Sequence, residues 1–208
     1  RTVALGFHNF HDTYRAFALP RAASAANTPS GRRPASGVAP TGLSWRVHLL
    51  PFVEQQPLYN QFHLDEPWDS PHNRELIARM PEIYRAPGSA AAPGRTNYLG
   101  VRGEDKMFVA PQASGRQPQG IRLRDVTDGT SNTLMVVEAS DESAVEWTRP
   151  ADFEPDMADL TAGLAGLRPG IFQASFVDGS VRVISVNIDP EMLRRLFVRN
   201  DGKIVTID

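Results

Sequence analysis

Four places along the 208 residues bring together side chains that could do chemistry. His8 and His11 stand three apart, a spacing at which two imidazoles on one helix face can share a metal ion, with Asp12 as the nearest third donor. His63, Asp65, Glu66, Asp69 and His72 form the densest polar cluster, in FHLDEPWDSPHN. Carboxylates in a loop suit calcium, and imidazole mixed with carboxylate suits zinc or manganese. The spacing matches neither an EF-hand loop nor a zinc signature, so helix capping, with Trp68 closing the loop onto the core, is the simpler account. In DGTSNT, Asp128 and Ser131 place a hydroxyl near a carboxylate but lack the Gly-x-Ser-x-Gly elbow of a serine hydrolase. A turn whose side chains bond their own backbone explains that run. Glu138 and Glu146 supply two carboxylates for acid–base work, with ion pairing or exposure as the alternative. No Gly-rich phosphate loop occurs. We therefore expect no enzyme, no catalytic residue, no cofactor and no metal site, with calcium as the one ion kept in view.

Composition narrows the classes further. The balance of 22 basic against 24 acidic residues gives a net charge of -2, too small to direct the whole chain toward phosphates, and nucleic acid is not an expected partner. There is no cysteine, hence no disulfide framework or thiolate site. No apolar run reaches the length of a membrane span, and no basic-then-apolar leader opens the sequence. With 16 Gly and 17 Pro the fold should be rich in turns and long connections.

The elements that must position these groups are readable in outline. Residues 171–186, IFQASFVDGSVRVISV, hold two apolar, β-branched runs that meet at Asp178-Gly179, the signature of a β-hairpin. Both arms are mostly apolar, which predicts a central position covered on at least one face. Val3, Phe7, Phe10, Tyr14 and Phe17 make one apolar stripe of a helix. No Ser, Asp or Asn precedes that stripe, which leads us to expect an upstream part. Residues 21–41 read as a mobile loop of Ala, Ser, Pro, Gly and Arg. Residues 44–80 read as short helices, started by Ser44 and again by Asp69-Ser70-Pro71, with breaks at Pro51 and Pro81. From 96 onward the pattern turns to strands: Asn97–Leu99, Ile121–Val126, Thr133–Glu138 with Val145–Trp147 beside it, and a last strand at Lys203–Ile207. Met157–Leu167 reads as a loose connection, and a helix at 190–198 is capped by Asp189. Helices first and strands later argue an α+β domain occupying 1–208.

The ordered runs GFHNFHDTYRAF, SWRVHLLPFVEQQPLYNQFHLDEPWDSPHN, MPEIYRAPG, TNYLGV, DGTSNTLMVVE and FVDGSVRVIS resemble the pilin-like family called domain of unknown function 1559. The resemblance covers nearly the whole chain. It implies a type IV pilin-like or pseudopilin-like architecture, a helical spine packed on an antiparallel sheet, with residues 1–17 as the lower part of a longer helix cut free of its leader by a prepilin peptidase. It further implies a structural subunit of a cell-envelope filament or secretion apparatus, located outside the cytoplasm and anchored in the cytoplasmic membrane before assembly. The implied partners are other pilin-like subunits or further copies of itself. The family pattern places a histidine ten positions before the hairpin's Asp-Gly, where this chain has Arg168, and relatives often carry cysteine where it has Ala86. The alternative expectation is an extracytoplasmic binding module for a glycan or another ligand. Loops 21–41 and 109–120 would form its contact surface, and exposed Trp45, Trp68 or Trp147 would stack on sugar.

Overall fold

A computed structural model of the chain describes residues 1–18, 42–109, 120–203 and 205. The expected loop at 21–41, most of the loop at 109–120 and most of the final strand fall outside those residues. The first helix, α1, runs over Thr2–Tyr14. It stops because Arg15 adopts a left-handed conformation, φ 59°, and donates its N–H back to the His11 carbonyl. The predicted stripe is therefore one turn too long. Phe17 lies beyond the helix yet is buried, folding back so that its ring meets Phe7 at 6.4 Å. Tyr14, expected to face inward, is 56% exposed.

Between α1 and the sheet's first strands lie α2 (Trp45–His48), α3 (Gln56–Tyr59) and α4 (Pro71–Glu75), joined by 3-10 turns at Leu50–Val53, Leu76–Arg79 and Glu82–Tyr84. The start signals act as read. Ser44 accepts the Arg46 N–H, and Ser70 accepts the Asn73 N–H with Pro71 in the first turn.

Two antiparallel sheets follow. The larger has the order β2 (Tyr98–Gly100), β3 (Leu134–Glu138), β5 (Ile171–Phe176), β6 (Val181–Ser185), and the smaller pairs β1 (Arg95–Thr96) with β4 (Val145–Glu146). Thus β4 pairs with β1 in a separate ribbon and not beside β3 as expected. Residues 121–126 form no strand either. Leu123–Asp125 is a 3-10 turn, because the Asp125 carboxylate accepts the Arg122 N–H at 2.9 Å and closes the backbone locally. Short alternating stretches do not distinguish these outcomes until a pairing partner exists.

The hairpin is present, with β5 paired to β6 from Ile171↔Ser185 to Ser175↔Val181 and Gly179 at φ 84°. Its first arm is central. Its second, β6, is at the sheet edge with Val183 54% exposed, so only one arm meets the expectation of central placement.

Alternation along β5 and a bulge in β3 divide the core in two. Phe172, Ala174 and Phe176 face a layer made by Leu193, Leu196 and Phe197 of α5 (Pro190–Phe197) with Phe153, Leu160 and Leu164. On the other face Met135, Val136 and Val177 join Phe7 and Phe10 of α1, together with Trp45 and Trp147. The register shift between Leu134 and Val136 turns both Met135 and Val136 toward the α1 side. The fold is α+β, with α5 on one face of the antiparallel sheet and, on the other, a core that the sheet shares with α1 and the short helices packed against it.

Candidate functional site

Four internal clamps organise the buried polar groups, three of them built on polar residues of the sequence motifs. The deepest is Arg46, in α2, whose side chain is fully buried against an equally buried Asp152. Its Nη2 donates to Asp152 Oδ1 at 3.0 Å and to the Tyr98 carbonyl at 2.8 Å, Nε donates to the same carbonyl at 3.0 Å, and Nη1 donates to Ser44 Oγ at 2.8 Å. Asp152 Oδ1 also accepts Trp45 Nε1–H and the Gly100 N–H, each at 2.9 Å. Burial pushes the Asp152 carboxyl up and the Arg46 guanidinium down, and their mutual attraction offsets part of both shifts. The pair fastens the helical insertion to β2. No local pattern in SWRVHLLP announced it, because its partner lies 106 residues away.

A second clamp uses Asp128. Its Oδ2 accepts the Asp201 N–H at 2.7 Å and its Oδ1 the Gly202 N–H at 2.8 Å. Both oxygens are thus engaged by backbone, and the carboxylate is not placed as a base for Ser131. The rest of the run behaves as the expected turn, with the Thr133 hydroxyl donating to the Gly129 carbonyl. It also holds the hairpin, since Val177 N–H and Asp178 N–H donate to the Thr133 and Thr130 carbonyls, each at 3.0 Å.

Asp141 makes the third clamp, absent from the sequence reading. It accepts Ser89 Oγ–H at 2.6 Å, Asn97 Nδ2–H at 2.9 Å and the Ala90 N–H at 2.8 Å. The Ser89 hydroxyl, then the Asn97 amide, hold its carboxyl below the ordinary aspartate value. Because the folded-state value is depressed, this clamp stabilises above the unfolded pKa of about 3.9 and is lost as pH falls through the lower folded value. Asp141→Asn should cost roughly 1–2 kcal/mol near pH 7. The difference from wild type should shrink as pH falls from the unfolded value through the lower folded one, as read from denaturant midpoints at each pH. A gap that stays constant with pH would contradict it.

The fourth is Glu138, buried at the end of β3, whose carboxylate takes Arg168 Nε–H at 2.8 Å and Nη2–H at 3.3 Å. Tyr98 lies beside them, its hydroxyl pKa raised by burial and then by Glu138. Glu146, the other carboxylate singled out, meets Arg149 at 3.7 Å in the smaller sheet. The two glutamates sit on different sheets and each has its own cation.

Neither histidine cluster forms a ligand set among the described residues. His8 packs on the hairpin turn, near enough that a Cβ on Gly179 would lie 3.1 Å from its Nε2. His11 accepts the Leu123 N–H on Nε2, and burial lowers its pKa. In the second cluster His63 and His72 stack at 3.6 Å, His63 Nδ1 meets Glu66 Oε1 at 2.9 Å, and His72 Nε2 meets the Gln61 carbonyl at 2.7 Å. Buried Asn73 organises that loop by accepting the His63 N–H and donating to the His63 and Pro67 carbonyls. The tryptophans do not form an exposed sugar platform. Trp45 and Trp147 are fully buried, and Trp68 is half-buried with the Arg149 guanidinium 5.7 Å from its ring centre.

Comparison with known proteins adds three findings. The model of a family described as "Protein of unknown function (DUF1559)" matches residues 1–166. Among curated proteins, the Target of rapamycin complex 1 subunit KOG1 of Saccharomyces cerevisiae is 35% identical over 112 residues, 51% of this chain. The matched stretch spans only 7% of that protein's length. No solved structure matches.

Proposed function

The chain belongs to the DUF1559 family, and from that premise we propose that it is the head of a pilin-like or pseudopilin-like structural subunit. In this reading α1 continues a helix that anchors the precursor in the cytoplasmic membrane, and the head lies outside the cytoplasm, in contact with other pilin-like subunits or further copies of itself. Among the described residues no helix is long and apolar enough to cross a membrane.

The observation that carries the reading is the placement of α1. Its Phe7 and Phe10 are buried in a cluster that includes Met135, Val136 and Val177 of the sheet side, as a spine helix roofed by a β layer requires. The four clamps support it in a second way. Arg46, Asp128, Asp141 and Glu138 are spent on internal contacts, which suits a rigid structural head.

Co-expression of the full-length gene product with a prepilin peptidase tests the proposal. Leader cleavage, followed by filament or patch labelling of native envelopes in electron microscopy, is the expected result; an uncleaved precursor with diffuse label would sink it. Thermal melts with and without calcium address the remaining ion, since a cation that prefers the native state raises the midpoint.

A further inference from the structure

A cavity of about 510 Å³ lies where α1 ends, bordered by His11, Tyr14, Arg15, Arg122 and Arg124. Three arginines border it in a chain whose net charge is -2. Among the described residues Arg15 and Arg122 make no ion pair. Arg124 has only Asp125 at 3.9 Å, with its own side chain 73% exposed. Asp125 is meanwhile engaged by the Arg122 N–H.

Two features set this cluster apart from an ordinary charged surface. Arg15 occupies the left-handed position after the helix, φ 59°, where glycine or asparagine is the usual occupant. A residue with a Cβ is strained in that conformation, and strain of this kind gathers at functional sites. The exposed Tyr14 ring is also held in place from behind, with Phe10 at 4.6 Å and Phe52 at 6.0 Å. The wall is completed by His11, which is 8% exposed. Since its Nε2 accepts from Leu123, its proton sits on Nδ1, where the nearest carboxylate oxygen, on Asp12, is 3.9 Å away.

Guanidinium forks match planar carboxylates, and a supported aromatic face suits the C–H side of a pyranose ring. A single-stranded nucleic acid would call for successive stacking platforms along a positive groove, and this cavity offers one exposed aromatic. We propose that the cavity beside Tyr14, Arg15, Arg122 and Arg124 binds an acidic saccharide, one whose rings carry carboxylates. The site goes beyond the structural role proposed above and does not depend on it.

Calorimetry on the intact chain with tetragalacturonate, neutral maltotetraose and a single-stranded oligothymidylate tests this. Tetragalacturonate should bind saturably and more weakly as salt rises, and maltotetraose should give no signal. Arg15→Gly should lower the affinity about tenfold while leaving the melting temperature unchanged or higher, because glycine takes the left-handed conformation freely. Arg124→Gln, at an exposed side chain, should weaken binding without a change in melting. The proposal is overturned by absence of tetragalacturonate binding, by equal binding of the neutral sugar, by wild-type affinity in the Arg15→Gly, Arg124→Gln double variant, or by preference for the oligonucleotide.

Discussion

Replacing Asp152 by alanine is expected to lower the stability of the fold by about 3–5 kcal/mol, the range for breaking a buried ion pair on one side. For a chain of this length that corresponds to a fall in Tm of roughly 6–20 °C. The reason lies in what remains. Arg46, its side chain 0% exposed, would keep its charge with only the Tyr98, Arg149 and Ala151 carbonyls and Ser44 Oγ to receive it. The Trp45 indole N–H and the Gly100 N–H would lose their acceptor at the same time. Arg46→Met should cost a similar amount from the opposite side, by stranding the Asp152 carboxylate. The double variant Arg46→Met, Asp152→Leu should recover much of the loss, since apolar groups of similar volume remove both buried charges. Equilibrium denaturation of wild type, Arg46→Met, Asp152→Leu and the double variant checks the cycle. Strict additivity of the two single losses would mean that the pair does not act as a unit.

The second large effect is expected at Arg168. Its guanidinium is the cation facing Glu138, whose side chain is 2% exposed, while the Arg168 side chain is itself 29% exposed. Arg168→Ala should cost about 2–3 kcal/mol, somewhat below the fully buried case because water can approach from the arginine side. Arg168→His is the more informative variant, because it makes the cation titrate in an accessible pH range. The short contact is made through Nε, four bonds from Cα, and the imidazole Nε2 has the same reach. A histidine paired with Glu138 would have its folded pKa raised above about 6.5. Its contribution is then fully present below that value and is lost as pH rises through the folded pKa. The His variant should therefore approach wild-type stability near pH 5.5 and fall toward the Ala variant near pH 9. Denaturant midpoints across that interval decide it, and a His variant as weak as Ala at both ends would rule out pairing of the imidazole with Glu138.

Read together, these clamps explain why the motifs were easier to find than to interpret. In DGTSNT the turn chemistry was legible, because the Thr133 hydroxyl acts on a carbonyl four residues away. The main contact of Asp128 was not, because its partners are backbone amides 73 and 74 residues further on. The same division appears in FHLDEPWDSPHN. Capping by Ser70 follows from its neighbours, whereas the His63–His72 stack and the Asn73 hub depend on how that loop folds back on itself.

The sequence by itself determined the local elements: the helix carrying Phe7 and Phe10, the starts at Ser44, Ser70 and Asp189, and the bend at Asp178-Gly179. Each rests on interactions within about four residues, where propensity and capping act. Tertiary structure decided the rest. It put Val145–Glu146 with β1, left β6 at the edge and Tyr14 in the open, and joined Arg46 to Asp152. Those outcomes turn on which distant surface arrives to accept a hydrogen bond or cover an apolar face, and spacing along the chain carries no record of that arrival.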